Sequence, residues 1–181
     1  MTVIEAEVEA YAAAVVDAVD SVAPVTGAYV LGSALLGGFD PDRSDLDMVA
    51  VVERPLSRSE RQAVTEALDT LPTPVRKLEL VLYVIGAKPP AYALNYPDGD
   101  DEPSFWFVLD AAIAQERSQP LRGRPWRELL EPVTQAEARF AAGELLRWAQ
   151  ERDDDLGRPH AARARYYLEH GEWLTKAESG Q

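Results

Sequence analysis

The alternation of apolar and polar residues in the first half of the chain predicts helices and strands in turn. Between residues 3 and 22 apolar residues recur at helical spacing with acidic residues between them, which predicts an amphipathic helix. Three segments of strand type follow, at 27–31, 45–52 and 75–85. A short helix capped by Ser33 is expected after the first strand, and the capping-box pair Ser57 and Glu60 opens a helix that runs to about residue 69.

The second half of the chain has a different pattern, with helices predominating. Residues 91–103 are polar and turn-rich, which predicts a surface loop. Helical segments are expected at 105–117, 126–130, 134–152 and 159–170, the last of them ended by Gly171. The predicted fold class is therefore α+β, with an α/β domain over 1–90, a connecting loop over 91–103 and an all-α domain over 104–181. Because residues 176–181 resemble a first helical turn, the helical domain is expected to be incomplete.

Composition and charge narrow the classes of partner. The chain has 181 residues, with 18 Lys and Arg against 31 Asp and Glu, a formal net charge of −13. This acidity argues against nucleic acid as a partner and favours cationic small molecules. The chain has no cysteine, no apolar stretch long enough to span a membrane and no secretion signal at its N-terminus, so a cytoplasmic protein without a membrane partner is expected.

The acids Asp45 and Asp47 are the first candidates for chemistry. Alternate residues of a strand project to the same face, so the two carboxylates can share a divalent cation, and oxygen ligands favour magnesium. The same spacing occurs three more times in this acidic chain, where a solvated turn explains it: Asp40 and Asp42, Asp98 and Asp100, Asp153 and Asp155. A calcium loop starting at Asp40 is rejected because its sixth place is Asp45 rather than glycine and its twelfth is Val51 rather than glutamate.

Two further features are compatible with this site. Gly32 and Ser33 follow the first strand, where a glycine lets a phosphate approach the backbone. Without the carboxylates downstream, an ordinary turn with a serine cap would be the preferred explanation of the pair. Glu79 is predicted on the third strand. If that strand lies beside the one with Asp45 and Asp47, Glu79 completes the metal site or accepts a proton; otherwise it is a surface residue paired with Lys77.

Together these segments resemble the nucleotidyltransferase superfamily. Its pattern is a hydrophobic residue with Gly-Ser, about a dozen residues, Asp-x-Asp on a strand, and a later acid; here eleven residues, 34 to 44, separate Ser33 from Asp45. More narrowly, the chain resembles the streptomycin/spectinomycin type of aminoglycoside adenylyltransferase. The segments that carry this likeness are 32–39, 44–47, 121–133 and 163–171 followed by Lys176.

The resemblance implies a small mixed-sheet nucleotidyltransferase domain followed by a helical domain, and it implies roles for single residues. Asp45 and Asp47 would hold two Mg²⁺ ions and Glu79 would be the catalytic base. The residues implied at the triphosphate of the co-substrate ATP are Gly32, Ser33, Ser44, Arg163 and Lys176. Asp153 would face the acceptor. Trp106 and Trp126 either flank the acceptor pocket or pack helices, and helix packing is the preferred interpretation.

The resulting functional hypothesis is Mg²⁺-dependent transfer of AMP from ATP to a hydroxyl of a cationic aminoglycoside or aminocyclitol antibiotic. Two alternatives stay open. One is a non-catalytic protein of the same fold that binds a nucleotide or a cation. The other is an enzyme that adenylylates a protein hydroxyl.

Overall fold

A computed structural model describes residues 6–36, 39–99, 102–152, 154 and 157–174. Within these ranges the chain forms seven helices and five strands. In chain order they are α1 (Ala6–Asp20), β1 (Val25–Val30), α2 (Gly32–Leu36), β2 (Asp45–Val52), α3 (Arg58–Asp69), β3 (Lys77–Val84), β4 (Leu94–Tyr96), α4 (Ser104–Arg117), β5 (Pro120–Gly123), α5 (Trp126–Leu129), α6 (Gln135–Arg152) and α7 (Gly157–His170).

The five strands form one mixed sheet in the order β4-β3-β2-β1-β5. β2 and β3 are parallel and are joined by the crossover helix α3, whereas the other three neighbouring pairs are antiparallel. A parallel pair at the centre of the sheet brings the same ends of β2 and β3 to one edge. Residues 45–47 and 77–79, which begin these strands, therefore lie side by side.

Helices cover both faces of this sheet, and the alternation of side chains along β2 decides which residues meet which layer. Leu46, Met48 and Ala50 are buried in a cluster with apolar residues of α1 and α3. Val49 and Val51 face the opposite way, into a second cluster formed with residues of α4 to α7. Because side chains alternate, Asp45 and Asp47 project on the same face as Val49, toward the helical layer of the second half.

The predicted capping boxes are present, whereas Ser33, predicted to cap the short second helix, lies within α2 because that helix already begins at Gly32. Ser57 Oγ accepts a hydrogen bond from Glu60 N at 3.2 Å, and Ser57 N donates to Glu60 Oε2 at 2.8 Å, so α3 begins with a capping box. Thr134 and Glu137 make the same reciprocal pair before α6. Gly171, with φ of +76°, follows the end of α7. None of the described helices is long and apolar enough to cross a membrane.

Two strands differ from the prediction. The loop expected at 91–103 contains β4, which pairs with β3, and the region expected to be all helical contains β5, which pairs with β1. Both are short: β4 has three residues and β5 has four, too few to show alternation in the sequence. The division at residue 90 remains a prediction, but residues on both sides of it contribute to the one sheet.

Candidate active site

The register of β2 against β3 puts the three predicted acids at one place. Asp47 is the direct partner of Glu79. Two residues earlier on each strand, Asp45 is the partner of Lys77. Asp47 and Glu79 are both half-buried. The condition that the sequence left open, whether Glu79 lies beside the aspartate strand, is therefore met.

The Gly-Ser turn packs against the same strand. Leu31 N donates a hydrogen bond to Asp47 O at 2.7 Å, which ties the end of β1 to β2. Gly32 has φ of +55°, and a Cβ added there would lie 2.7 Å from Asp47 Cγ and nearer still to its Oδ2. Ser33 follows, only 7% exposed. The glycine is therefore required both by its backbone conformation and by the space that the Asp47 carboxylate occupies.

These residues open onto a pocket of about 360 Å³ between the sheet and helices α4, α6 and α7. Six predicted site residues line it: Gly32, Ser33, Asp45, Asp47, Glu79 and Arg163. Nine further residues complete the wall: Leu31, Leu35, Arg76, Glu102, Trp106, Asp110, Ile113, Trp148 and His160. The pocket is thus formed by both halves of the chain.

Ser44 has a different position from the other predicted residues. It ends the turn before β2, where its N donates to Asp40 O at 2.7 Å and its Oγ accepts from Asp40 N at 3.2 Å. These bonds shape the turn that leads into Asp45, and the side chain is not among those that line the pocket. Asp153 and Lys176 lie outside the described residues.

Arg163 reaches the pocket from α7. Its Nε donates to Leu174 O at 3.1 Å, which fixes the guanidinium against the segment that follows the helix. Burial lowers the pKa of Arg163, and the negative charges of Asp110 and Asp47 oppose that effect. A half-buried cation that is partly desolvated, as Arg163 is, gains from an anionic ligand in the pocket.

Two of the acids are held by neighbouring bases. Arg76 donates to both oxygens of Asp45, from Nε at 2.9 Å and from Nη2 at 2.6 Å. Lys77 Nζ donates to Glu79 Oε1 at 2.9 Å. The ion pair with Lys77 and the position beside Asp47 were alternative interpretations of Glu79, and the structure contains both.

The helical wall of the pocket combines aromatic rings with acids. Trp106 and Asp110 stand one helical turn apart on α4, and Trp106 makes edge contacts with Trp148 and with His160, with ring centroids 5.5 and 4.9 Å apart. Trp106 thus packs against helices, as predicted, and also lines the pocket. A sequence signal for this wall is the i, i+4 spacing of Trp106 and Asp110, where Asp110 is the one polar residue among the apolar residues of 105–114.

Glu102 adds a further acid to this wall. Burial raises the pKa of Glu102, the nearby charges of Glu79 and Asp98 raise it further, and a hydrogen bond from Asn95 partly offsets the effect. A carboxyl group in this position becomes more acidic when a cation binds beside it. A positive charge bound beside Glu102 and Glu79 would therefore be stabilised by their carboxylates.

The carboxylates at the start of β2 decide which metal ion the site could hold. In the described ranges no group of three or more His, Cys, Asp or Glu side chains is placed to hold a metal by itself. Asp45 and Asp47 present carboxylate oxygens on one face of β2, beside a pocket, and both oxygens of Asp45 also accept hydrogen bonds from Arg76. That set fits Mg²⁺, which is commonly bound through one or two carboxylates together with substrate phosphates.

A mixed sheet with a Gly-Ser turn packed against an Asp-x-Asp strand, joined to a helical layer across one pocket, is an α+β nucleotidyltransferase fold. No protein-family model and no curated protein matches the chain. Among solved structures it is similar to spectinomycin adenyltransferase AAD(9) from Enterococcus faecialis with ATP and spectinomycin. The identity is 18% and the TM-score 0.71, over 86% of this chain and 73% of that one. The predicted fold class and the predicted resemblance are thereby confirmed at the level of fold.

Proposed function

We propose that this chain is a nucleotidyltransferase that transfers AMP from ATP to a hydroxyl of a cationic aminoglycoside or aminocyclitol. The observation that supports it most is the convergence of Asp45, Asp47 and Glu79 on one pocket with Gly32 and Arg163. The similar structure, solved with ATP and spectinomycin, supports the same class of reaction.

In this proposal Asp45 and Asp47 hold magnesium at the triphosphate. The ions, when bound, neutralise the negative charge that develops on the phosphates. Arg163 binds the phosphates from the helical side, and Gly32 and Ser33 let them approach the backbone beside Asp47. Ser44 and Lys176 keep the nucleotide-binding roles that the sequence resemblance implies, although Ser44 acts through the shape of its turn.

Glu79 acts as the general base. The acceptor hydroxyl oxygen attacks the α-phosphorus of ATP, the bond from that phosphorus to the bridging oxygen of the β-phosphate breaks, and pyrophosphate leaves. The proton of the hydroxyl passes to the Glu79 carboxylate. Most of the catalysis comes from holding the two reactants together in a charged pocket.

The acceptor is proposed to be cationic because acids line much of the pocket. Glu102 and Asp110 line it in addition to the three strand acids, and Trp106 also forms part of its wall. Carboxylates and aromatic rings are the groups that bind ammonium and guanidinium ligands. The chain's net charge of −13 draws such ligands toward the pocket. Asp153 is a further candidate for acceptor binding on the resemblance alone.

The test is incubation of the full chain with ATP, Mg²⁺ and either spectinomycin or streptomycin, followed by mass spectrometry of the antibiotic and an assay for pyrophosphate. Addition of one AMP to the antibiotic with stoichiometric pyrophosphate supports the proposal, and a chelator should stop the reaction. Binding of ATP with no pyrophosphate would favour a non-catalytic binding protein. Transfer of labelled AMP to protein instead of antibiotic would favour a protein-modifying enzyme.

A further inference from the structure

Lys77 forms a bridge between Glu79 and the turn after β4. Its Nζ donates to Glu79 Oε1 at 2.9 Å and to Asp98 Oδ2 at 2.7 Å. Burial lowers the pKa of Lys77, but the hydrogen bonds to Asp98 and Glu79 and their charges outweigh it, so the pKa is raised overall. The two carboxylates therefore favour the charged form of Lys77.

The turn that supplies Asp98 is itself anchored to the sheet. Asn95, only 6% exposed, lies on β4 as the partner of Val81 on β3. Its Nδ2 donates to Gly99 O at 2.8 Å and to Glu102 Oε2 at 3.1 Å. One buried amide thus fixes both sides of the turn, and Asp98 is held where Lys77 meets it.

Lys77 approaches Glu79 from outside the pocket. The two residues lie on the same face of β3, two positions apart, and Lys77 borders a separate surface groove together with Tyr96 and Pro97. Glu79 lines the pocket, and Lys77 is not among the residues that line it. Lys77 is therefore placed to act on Glu79 rather than on a substrate.

We propose that Lys77 is a positioning residue for Glu79. By binding Oε1 it fixes the rotation of the carboxylate and leaves Oε2 directed to the acceptor hydroxyl, while Asp98 keeps the ammonium group in place. The inference rests on the proposed role of Glu79 as general base. No sequence motif identified Lys77 as part of the site. The sequence suggested its ion pair with Glu79 only as the alternative to a catalytic role for Glu79.

The first experiment compares Lys77→Met with Lys77→Arg in the adenylylation assay. A misplaced base slows the chemical step without weakening nucleotide binding, so Lys77→Met is expected to lower kcat by about 10- to 100-fold with the KM for ATP unchanged. Lys77→Arg, which keeps the charge and the donors, is expected to recover most of the rate. Asp98→Asn is expected to give a smaller loss of the same kind.

The matched control is Lys88→Met. Lys88 pairs with Glu137 at 2.8 Å with side chains 40% and 41% exposed, close to the 2.9 Å and 36% of Lys77 and Glu79, and it lies outside the pocket. It should leave kcat unchanged. Thermal unfolding of each variant separates loss of rate from loss of fold.

A double-mutant cycle decides between positioning and a general structural role. If Lys77 acts through Glu79, Lys77→Met causes no further loss of rate once Glu79 is Gln. A Lys77→Met loss that persists in full in the Glu79→Gln background, or a wild-type rate in Lys77→Met itself, overturns the inference while leaving the proposed function intact. Absence of transfer by the wild-type chain overturns both.

Discussion

Gly32 lies directly against the carboxylate of Asp47. The Gly-Ser turn and the Asp-x-Asp strand, which belong to one sequence pattern, are therefore also in contact in the structure. The backbone bond from Leu31 N to Asp47 O holds the two together at 2.7 Å. A Cβ at position 32 would overlap the carboxylate, and φ of +55° at Gly32 is a conformation that other residues rarely adopt. The position of one acid of the site is therefore set in part by the absence of a side chain at Gly32, the first residue of α2.

We expect Gly32→Ala to weaken binding of Mg²⁺-ATP strongly, because the new methyl group displaces Asp47. Calorimetric titration with a nonhydrolysable ATP analogue measures this. Gly86→Ala is the control: Gly86 also has positive φ, +77°, but nothing lies within 4 Å of its Cβ position. That variant carries only the backbone strain of roughly 1–2 kcal/mol and should bind normally. Equal loss of binding in both variants would contradict the explanation.

Asp47→Asn and Glu79→Gln are expected to fail in different ways, although the two residues are partners across β2 and β3. Removing a magnesium ligand should abolish Mg²⁺-dependent ATP binding and transfer together. Removing the base should leave ATP binding intact and lower kcat by about 10²- to 10⁴-fold. Asp42→Asn, in one of the other Asp-x-Asp segments and exposed, serves as the control and should be active. Normal transfer by Asp47→Asn would refute the metal assignment.

Trp126→Ala tests the junction of the sheet with the helical layer. Trp126 is 4% exposed and makes edge contacts with Tyr29 and Tyr83, at centroid distances of 5.1 and 6.4 Å. Its removal leaves a cavity, and the free energy of unfolding should fall by about 3–5 kcal/mol. Phe140→Ala, at a side chain 69% exposed, should change it by less than about 0.5 kcal/mol. Urea denaturation of both variants provides the comparison.

The hydrogen-bonded carboxylate of Glu60 is expected to make the free energy of unfolding depend on pH in the acid range. Hydrogen bonds from Arg54 and from the backbone of Ser57 lower the pKa of Glu60 from 4.5 to about 2. Because the folded-state pKa is depressed, the stabilisation is present above pH 4.5 and is lost as the pH falls toward about 2. The difference in unfolding free energy between the wild type and Glu60→Gln should therefore shrink between neutral pH and about pH 3. A difference independent of pH would show that the charge of Glu60 is not responsible; the exposed Glu131→Gln is the control.

The sequence predicted the parts of the fold whose pattern is local. β2 has the predicted bounds because its apolar run starts sharply at a polar turn, and α3 begins where the Ser57 and Glu60 pair indicates. β4 and β5 were missed because short strands at the edges of a sheet have neither an apolar run nor alternation; β5 even starts with a proline. Their pairing is set by the strands they join.

Only the residues of the site that belong to a sequence motif could be predicted. The motif residues that line the pocket were found because their spacing resembles a known family. The pairing of Lys77 with Glu79 was predicted as an alternative. The contacts of Arg76 with Asp45 and of Lys77 with Asp98 were missed, since these residues are 31 and 21 positions apart. Which base meets which acid depends on the order of strands, and no local pattern contains that information.

The strand β5 has a consequence for how the polypeptide can be divided. β1 receives its second neighbour only from Pro120–Gly123, so a fragment that stops at residue 90 would expose the whole outer edge of β1 to solvent. Unsatisfied amides and carbonyls along such an edge recruit other chains. Expressed alone, the N-terminal half should therefore self-associate or precipitate, and co-expression with the remainder as a separate polypeptide should restore a dispersed heterodimer.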